Sequence, residues 1–322
     1  MMTAAEIELP ELWLGTYVTP EGRNLARVGL GLTAYLDAPE LWARGDALRV
    51  LETFLRRIPR RELLNVATSL TPTWRAIGAS GLDEVLETFR YTGLTRGVRH
   101  LFWVRLANDT GAPSLGFSYT EVDPQRSERT GVLEITLPEP WRSDELHSLA
   151  MEVLSTGPVC SLIAGKVFRY DRHEQARAFH QIYRWASRYI AIDVQLADEM
   201  AWLAPHSLPG SSWLTYVGER LARTREIDLG SLRAREWPHD VRATPVADGL
   251  LLQAGAEPVQ GDLNRLRFPH AYSEVARLLG PYFADPPPEL WGSFHLQKHT
   301  SLWFRRLIEP TPWIERRIDL DV

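Results

Sequence analysis

Residues 25–36, LARVGLGLTAYL, alternate with a period of two, so that Val28, Leu30, Leu32, Ala34 and Leu36 share one face. That spacing predicts a half-buried strand. The period then changes. Leu48, Leu51, Phe54 and Leu55 recur at helical spacing behind Asp46, a residue suited to an N-cap, and Pro59 ends the run. Leu82, Val85, Leu86 and Phe89 predict a second helix. HLFWVRLA and SLGFSYTEV flank the turn-type run Asn108-Asp109-Thr110-Gly111 and read as a hairpin. GVLEITL at 131–137 is another strand. Ser143 opens an amphipathic helix with Leu146, Leu149, Ala150, Val153 and Leu154 inward, stopped by Gly157-Pro158, and 159–168 returns as a strand.

Residues 174–204 turn helical until Pro205 and Pro209-Gly210 break the pattern. Ser211 or Ser212 then caps an expected helix, WLTYVGERLAR, with Trp213, Val217 and Leu221 inward. Asp248-Gly249 suits the positive φ angles of a two-residue turn, so VRATPVA and LLLQAG read as a second hairpin. A helix follows from about Tyr272 to Leu279. The fold class expected is α+β: antiparallel-rich sheet with packed amphipathic helices, as one domain over 1–284. Pro286-Pro287-Pro288 precedes a segment, 285–322, with Trp291, Trp303, Phe304 and Trp313. So much aromatic surface is expected to dock on the body rather than face water.

Composition narrows the class. At 44% hydrophobic and 24% charged, the chain of 322 residues is globular and long enough to bury a core without staples. One cysteine, Cys160, excludes an internal disulfide framework and a multi-cysteine zinc site. Its apolar setting, VCSLIAG, points to a buried thiol. The start, MMTAAEIELPELWLG, has no basic region followed by an apolar one, and no window reaches a membrane span, so a cytoplasmic location is expected. A net charge of -5 argues against nucleic acid as a partner and is compatible with docking on a basic protein.

No chemical motif stands out. His295 and His299 share the spacing of one helical face but have no evident further ligands, and no HExxH exists, so neither a metal nor another cofactor is expected. His173 and His180 are two helical turns apart among arginines, as on a solvated face. Ser211 and Ser212 are followed by Trp213, not the glycine of a nucleophile elbow. Asp262, in Gly-Asp-Leu-Asn-Arg after a strand and turn, is the one tempting carboxylate; without a partner it reads as a residue that satisfies its own turn. Asp193, Asp198 and Glu199 beside Trp202 form an acidic cluster. A solvated helix surface is the simpler reading, and a patch for a basic protein partner is the alternative.

Two pieces in order carry a resemblance. The first is Ser212-Trp213-Leu214-Thr215-Tyr216-Val217-Gly218. The second is Gly249-Leu250-Leu251-Leu252-Gln253-Ala254-Gly255, then Glu257-Pro258, then Gly261-Asp262-Leu263-Asn264-Arg265, and a helix with Tyr272 and Val275. Over residues 189–283 the chain resembles the bacterial type VI secretion immunity proteins paired with VRR-Nuc nuclease toxins, the TsiV-like family. The resemblance implies a binding protein rather than an enzyme, with a cognate protein toxin as partner and no cofactor. Trp213, Leu214, Gly255, Pro258, Gly261, Asp262, Asn264 and Tyr272 are then structural signature residues. Asp193, Asp198, Glu199 and Trp202 are the candidate toxin interface, acting by steric occlusion. An adaptor or chaperone that carries a toxin to its secretion machine is the alternative, and an enzyme built on Asp262 and a histidine the third.

Overall fold

In a computed structural model, residues 16–38, 41–78, 81–94, 102–122, 128–139 and 143–316 are described. The start of the chain, read above as lacking a leader, lies outside them. The fold is α+β, a single domain around one mixed but mostly antiparallel sheet. Its strands are β1 (Thr16–Val18), β2 (Asn24–Leu36), β3 (Asn65–Thr68), β4 (Arg75–Ala76), β5 (Trp103–Ala107), β6 (Gly116–Thr120), β7 (Gly131–Leu137), β8 (Val159–Tyr170), β9 (Asp193–Val194), β10 (Leu214–Val217), β11 (Val241–Val246) and β12 (Gly249–Ala254). They run in the order β11-β12-β10-β8-β2-β7-β6-β5-β3-β4, with β1 beside β2 and β9 beside β8. Only the β8–β9 pair is parallel among the described strands.

The long pair β2–β8 forms the spine, in register from Ala26↔Tyr170 to Thr33↔Ile163 and beyond. Both expected hairpins are present, β5–β6 and β11–β12. One sheet face carries Leu32, Ile135 and Phe117 side by side, because these residues pair across β2, β7 and β6. Three helices cover it: α1 (Ala47–Arg57), α2 (Gly81–Leu94) and α3 (Ser143–Thr156). Phe54 of α1 lies 5.7 Å from Phe117, and Phe89 of α2 lies 5.9 Å from Tyr119, within the centroid range of favourable aromatic pairs. Asp46 precedes α1 without capping it; its carboxylate pairs with Arg49 instead.

Two further expectations fail. The helical pattern expected over 174–204 is interrupted after Ala186, where Asp193–Val194 forms β9 before a helix resumes at Ala197. Leu214–Val217 is a strand, not a helix, and Ser211 and Ser212 are buried rather than capping. β10 is an interior strand between β8 and β12, and the burial of Leu214, Thr215, Tyr216 and Val217 alike shows that both its faces are covered. A doubly covered strand loses the alternation that identifies strands, and a short apolar run then looks helical. The helix begins only at Glu219, after Gly218.

The last segment lies against α4 (Gln175–Ala186) and the residues after it. Trp303 and Trp313 are fully buried, and Trp313 Nε1–H donates to the Ala186 carbonyl at 3.3 Å. Arg306 stacks 3.5 Å from the Trp303 ring centroid and donates to the Ile190 carbonyl and to Asp193. No described helix is long and apolar enough to cross a membrane.

Candidate functional site

The residues that carry the resemblance come together as a folding unit. Trp213 Nε1–H donates to the Gly255 carbonyl at 3.0 Å, tying the entry of β10 to the exit of β12. Gly255 follows with φ of +87°, a conformation glycine adopts freely. After Pro258 the Val259 amide donates to the Tyr272 hydroxyl, and Tyr272 is 1% exposed. Gly261 has φ of +61°, and an added Cβ would stand 3.0 Å from Ile190 Cγ2 and 3.1 Å from Pro269 Cδ. Asp262 is buried. Its Oδ1 accepts from the Asn264 amide at 3.1 Å, and Arg188 donates to both oxygens at 2.8 and 2.7 Å. That hydrogen bonding from Arg188 is the main force holding the carboxyl below the usual range, against the opposing effect of burial. Asp262 therefore serves its turn, and its lone pairs are occupied by backbone and arginine.

The histidines do not assemble. His299 is largely buried with Nδ1 2.8 Å from the Tyr183 hydroxyl, whereas His295 is exposed against Glu289. His180 meets Ser293. No cluster of three or more metal-ligand side chains exists among the described residues. Cys160 is buried, with Sγ 3.1 Å from the Ala204 carbonyl, and burial pushes its thiol up to about 12. It has no thiolate with which to act as a nucleophile.

The four acidic-patch candidates separate. Asp193 does not belong to a surface patch. Its side chain is 14% exposed and holds Arg306 at 3.1 Å, because β9 runs inward beside β8 and the terminal segment closes over it. Burial raises its pKa despite the opposing charge of Arg306. Asp198, Glu199 and Trp202 do share one short helix, α5 (Ala197–Leu203). The Thr130 amide donates to the Ala201 carbonyl at 2.9 Å, which seats α5 on the start of β7. Trp202 is 57% exposed, with the Arg129 guanidinium 5.7 Å from its ring centroid, and Glu199 is exposed beside it. Asp198 is half-buried and points the other way, into a set of arginines.

Those arginines were not singled out from the sequence. Arg105, Ser118 and Glu134 are register partners across β5, β6 and β7, so their side chains stand in a row on the sheet face opposite Phe117 and Ile135. Glu134 is 4% exposed. Its Oε2 accepts from Arg172 at 2.6 Å and its Oε1 from Arg169 at 3.4 Å. Arg172 also donates to Asp198 at 2.6 Å, and Arg105 lies 3.6 Å from the same carboxylate. Burial alone would raise the pKa of Glu134, but Arg172, Arg169 and Arg105 overcome it and bring it down to about 2. Burial opposes the charge of Arg172 as well, yet Glu134 and Asp198 keep it firmly protonated. The signal in the sequence was a charged residue inside each of two apolar strands, Arg105 in WVRLA and Glu134 in GVLEITL.

The fold has a solved counterpart. The chain superposes on the Pseudomonas aeruginosa T6SS protein PA0821 with a TM-score of 0.78, covering 94% of this chain and 90% of that one at 16% identity, a likeness of fold. Comparison with curated proteins finds no match. The sequence itself matches one family over residues 48–307: TsiV, type VI immunity for VRR-NUC. That span is well over half the chain, and the protein belongs to this family of type VI immunity proteins.

Proposed function

We propose that the protein protects its cell by binding a cognate VRR-Nuc toxin and covering the surface that the toxin needs for its substrate. Membership of the immunity family over residues 48–307 is the observation that carries this reading. Occlusion requires a rigid surface and no chemistry, which agrees with an Asp262 fully engaged in its turn and a Cys160 that stays a thiol. The toxin is the partner in this reading; nucleic acid, membrane and cofactors play no part. The protein acts in the cytoplasm, where an incoming nuclease meets DNA.

Trp202, Glu199 and Asp198 on α5 are the contact residues we favour. An exposed tryptophan rimmed by charge is the usual composition of an interface anchor, and tight inhibitors bury about 1,600 Å² in total around a few such anchors. Asp193 has an internal role instead, holding Arg306 and with it the terminal segment.

Co-expression of the toxin with this chain tests the reading. Cells survive, and toxin and chain co-elute from a sizing column. Undiminished killing with no complex would overturn it, and a complex that leaves the toxin lethal would favour the adaptor role.

A further inference from the structure

Beside α5 the sheet is hollowed into a small open cleft of about 60 Å³. Its floor is made of small residues, Ala107, Gly116 and Thr136, which are register neighbours on β5, β6 and β7. Arg105, Arg169 and Arg172 stand around it, with Glu134 beneath and Trp74 at the wall. Charge is unevenly matched there. Three guanidiniums meet two carboxylates, Glu134 and Asp198, and Asp198 is shared between Arg172 and Arg105. Arg27 at the margin has its own partner, Asp109, at 3.6 Å. The Nε groups of Arg105 and Arg169 are buried and have no hydrogen-bond acceptor among the described residues. The Arg105 side chain as a whole is 32% exposed and only 3.6 Å from a carboxylate it shares with Arg172, so its guanidinium remains open to a further acceptor from the cleft. Burial first, and then the charge of Arg172, push the pKa of Arg105 down against the opposing charges of Asp198 and Glu134.

From this arrangement we infer that the cleft receives one Asp or Glu side chain from a loop of the cognate toxin, with Arg105 as its principal donor. The inference rests on the toxin-binding reading above and specifies the chemistry of part of that interface. A single excess cation suits one carboxylate. A nucleic-acid track neutralises several phosphates at once, and a chain of net charge -5 repels such a polyanion. Glu134 does not bar the way, because it is 4% exposed and already engaged by Arg169 and Arg172. Trp74 adds an apolar wall of the kind that shields a charged contact from water. The contact surface thereby carries both signs: the exposed Glu199 and Trp202 on one side of α5, and a basic socket on the other.

Arg105→Glu and Arg105→Gln variants, assayed for affinity to the purified toxin, test it. Both are expected to weaken the complex on the order of 100-fold. Arg105→Gln, which places no new carboxylate beside Glu134 and Asp198, is the variant expected to stay near the wild-type denaturation midpoint. Among Asp and Glu to Lys substitutions of the toxin, one should restore binding to Arg105→Glu and to no other variant. If a variant misfolds, the cycle is run with Arg105→Gln and the toxin substitutions alone, and additive losses overturn the inference. Affinities within about threefold of wild type for both variants overturn it too, leaving toxin binding itself intact. So does a labelled single-stranded or duplex DNA oligonucleotide that binds the wild type and is lost in Arg105→Glu. Wild-type protein that binds no toxin removes both readings together.

Discussion

Glu134 and Asp262 are alike in isolation: each is nearly fully buried, each is gripped by arginine, and each is held acidic by it. Their surroundings differ. Asp262 has a bidentate partner in Arg188 and a backbone amide within its own turn, and the other nearby cation, Arg265 at 3.8 Å, is partly in water. Every group is satisfied without help from outside. Glu134 lies under three arginines that it and Asp198 do not fully balance, beside a cleft open to solvent. A self-contained charge cluster fixes a fold; a cluster with an uncompensated donor at a cleft has capacity left for a partner.

The largest expected effect separates the two on stability. Glu134→Gln leaves the arginines facing one another in a buried site, and breaking such a cluster costs about 3–5 kcal/mol. A denaturant midpoint unchanged from wild type would mean that water, not Glu134, neutralises them.

Acid should produce nearly the same loss. The folded pKa of Glu134 is depressed from the usual 4.5 to about 2, so its contribution is complete above pH 4.5 and disappears as pH falls toward 2. At ~1.4 kcal/mol per pH unit, a depression from 4.5 to about 2 is worth about 3–4 kcal/mol. Stability measured between pH 5 and 2 should fall more steeply in the wild type than in Glu134→Gln; parallel curves would contradict the assignment.

Asp262→Ala should cost less, about 1.5–3 kcal/mol, the scale of hydrogen bonds to a charged group. The folded variant should bind toxin as the wild type does. A binding defect with unchanged stability would reverse the roles given to the two carboxylates. Smallest in stability is Trp202→Ala, within about 0.5 kcal/mol because the ring is exposed. On the toxin complex the same change should cost about 2 kcal/mol, measurable by titration calorimetry.

What the sequence disclosed and withheld follows the same division. The alternation of Val28 to Leu36, the two hairpins and the helical spacing of Leu146 to Leu154 are local patterns, and each became the expected element, although the first strand is buried on both faces and not half-buried. Leu214–Val217 was misread because burial on both faces erased its period. The Asp262 turn was legible because its partners Gly261 and Asn264 adjoin it, although Arg188, 74 residues away, was not foreseen. The cleft was invisible for a physical reason. Arg105, Glu134 and Arg172 meet only through the register of β5, β6 and β7 and the end of β8, which no single stretch specifies. Asp193 was placed with Asp198 by proximity in sequence, and the chain between them turns one inward and the other to the cleft.

The most direct test of the whole account is the toxin's own substrate cleavage, followed as purified chain is titrated in. Cleavage is expected to disappear at one chain per toxin, and Arg105→Glu to require a large excess to reach the same inhibition. Cleavage that continues undiminished in a saturated complex would contradict it.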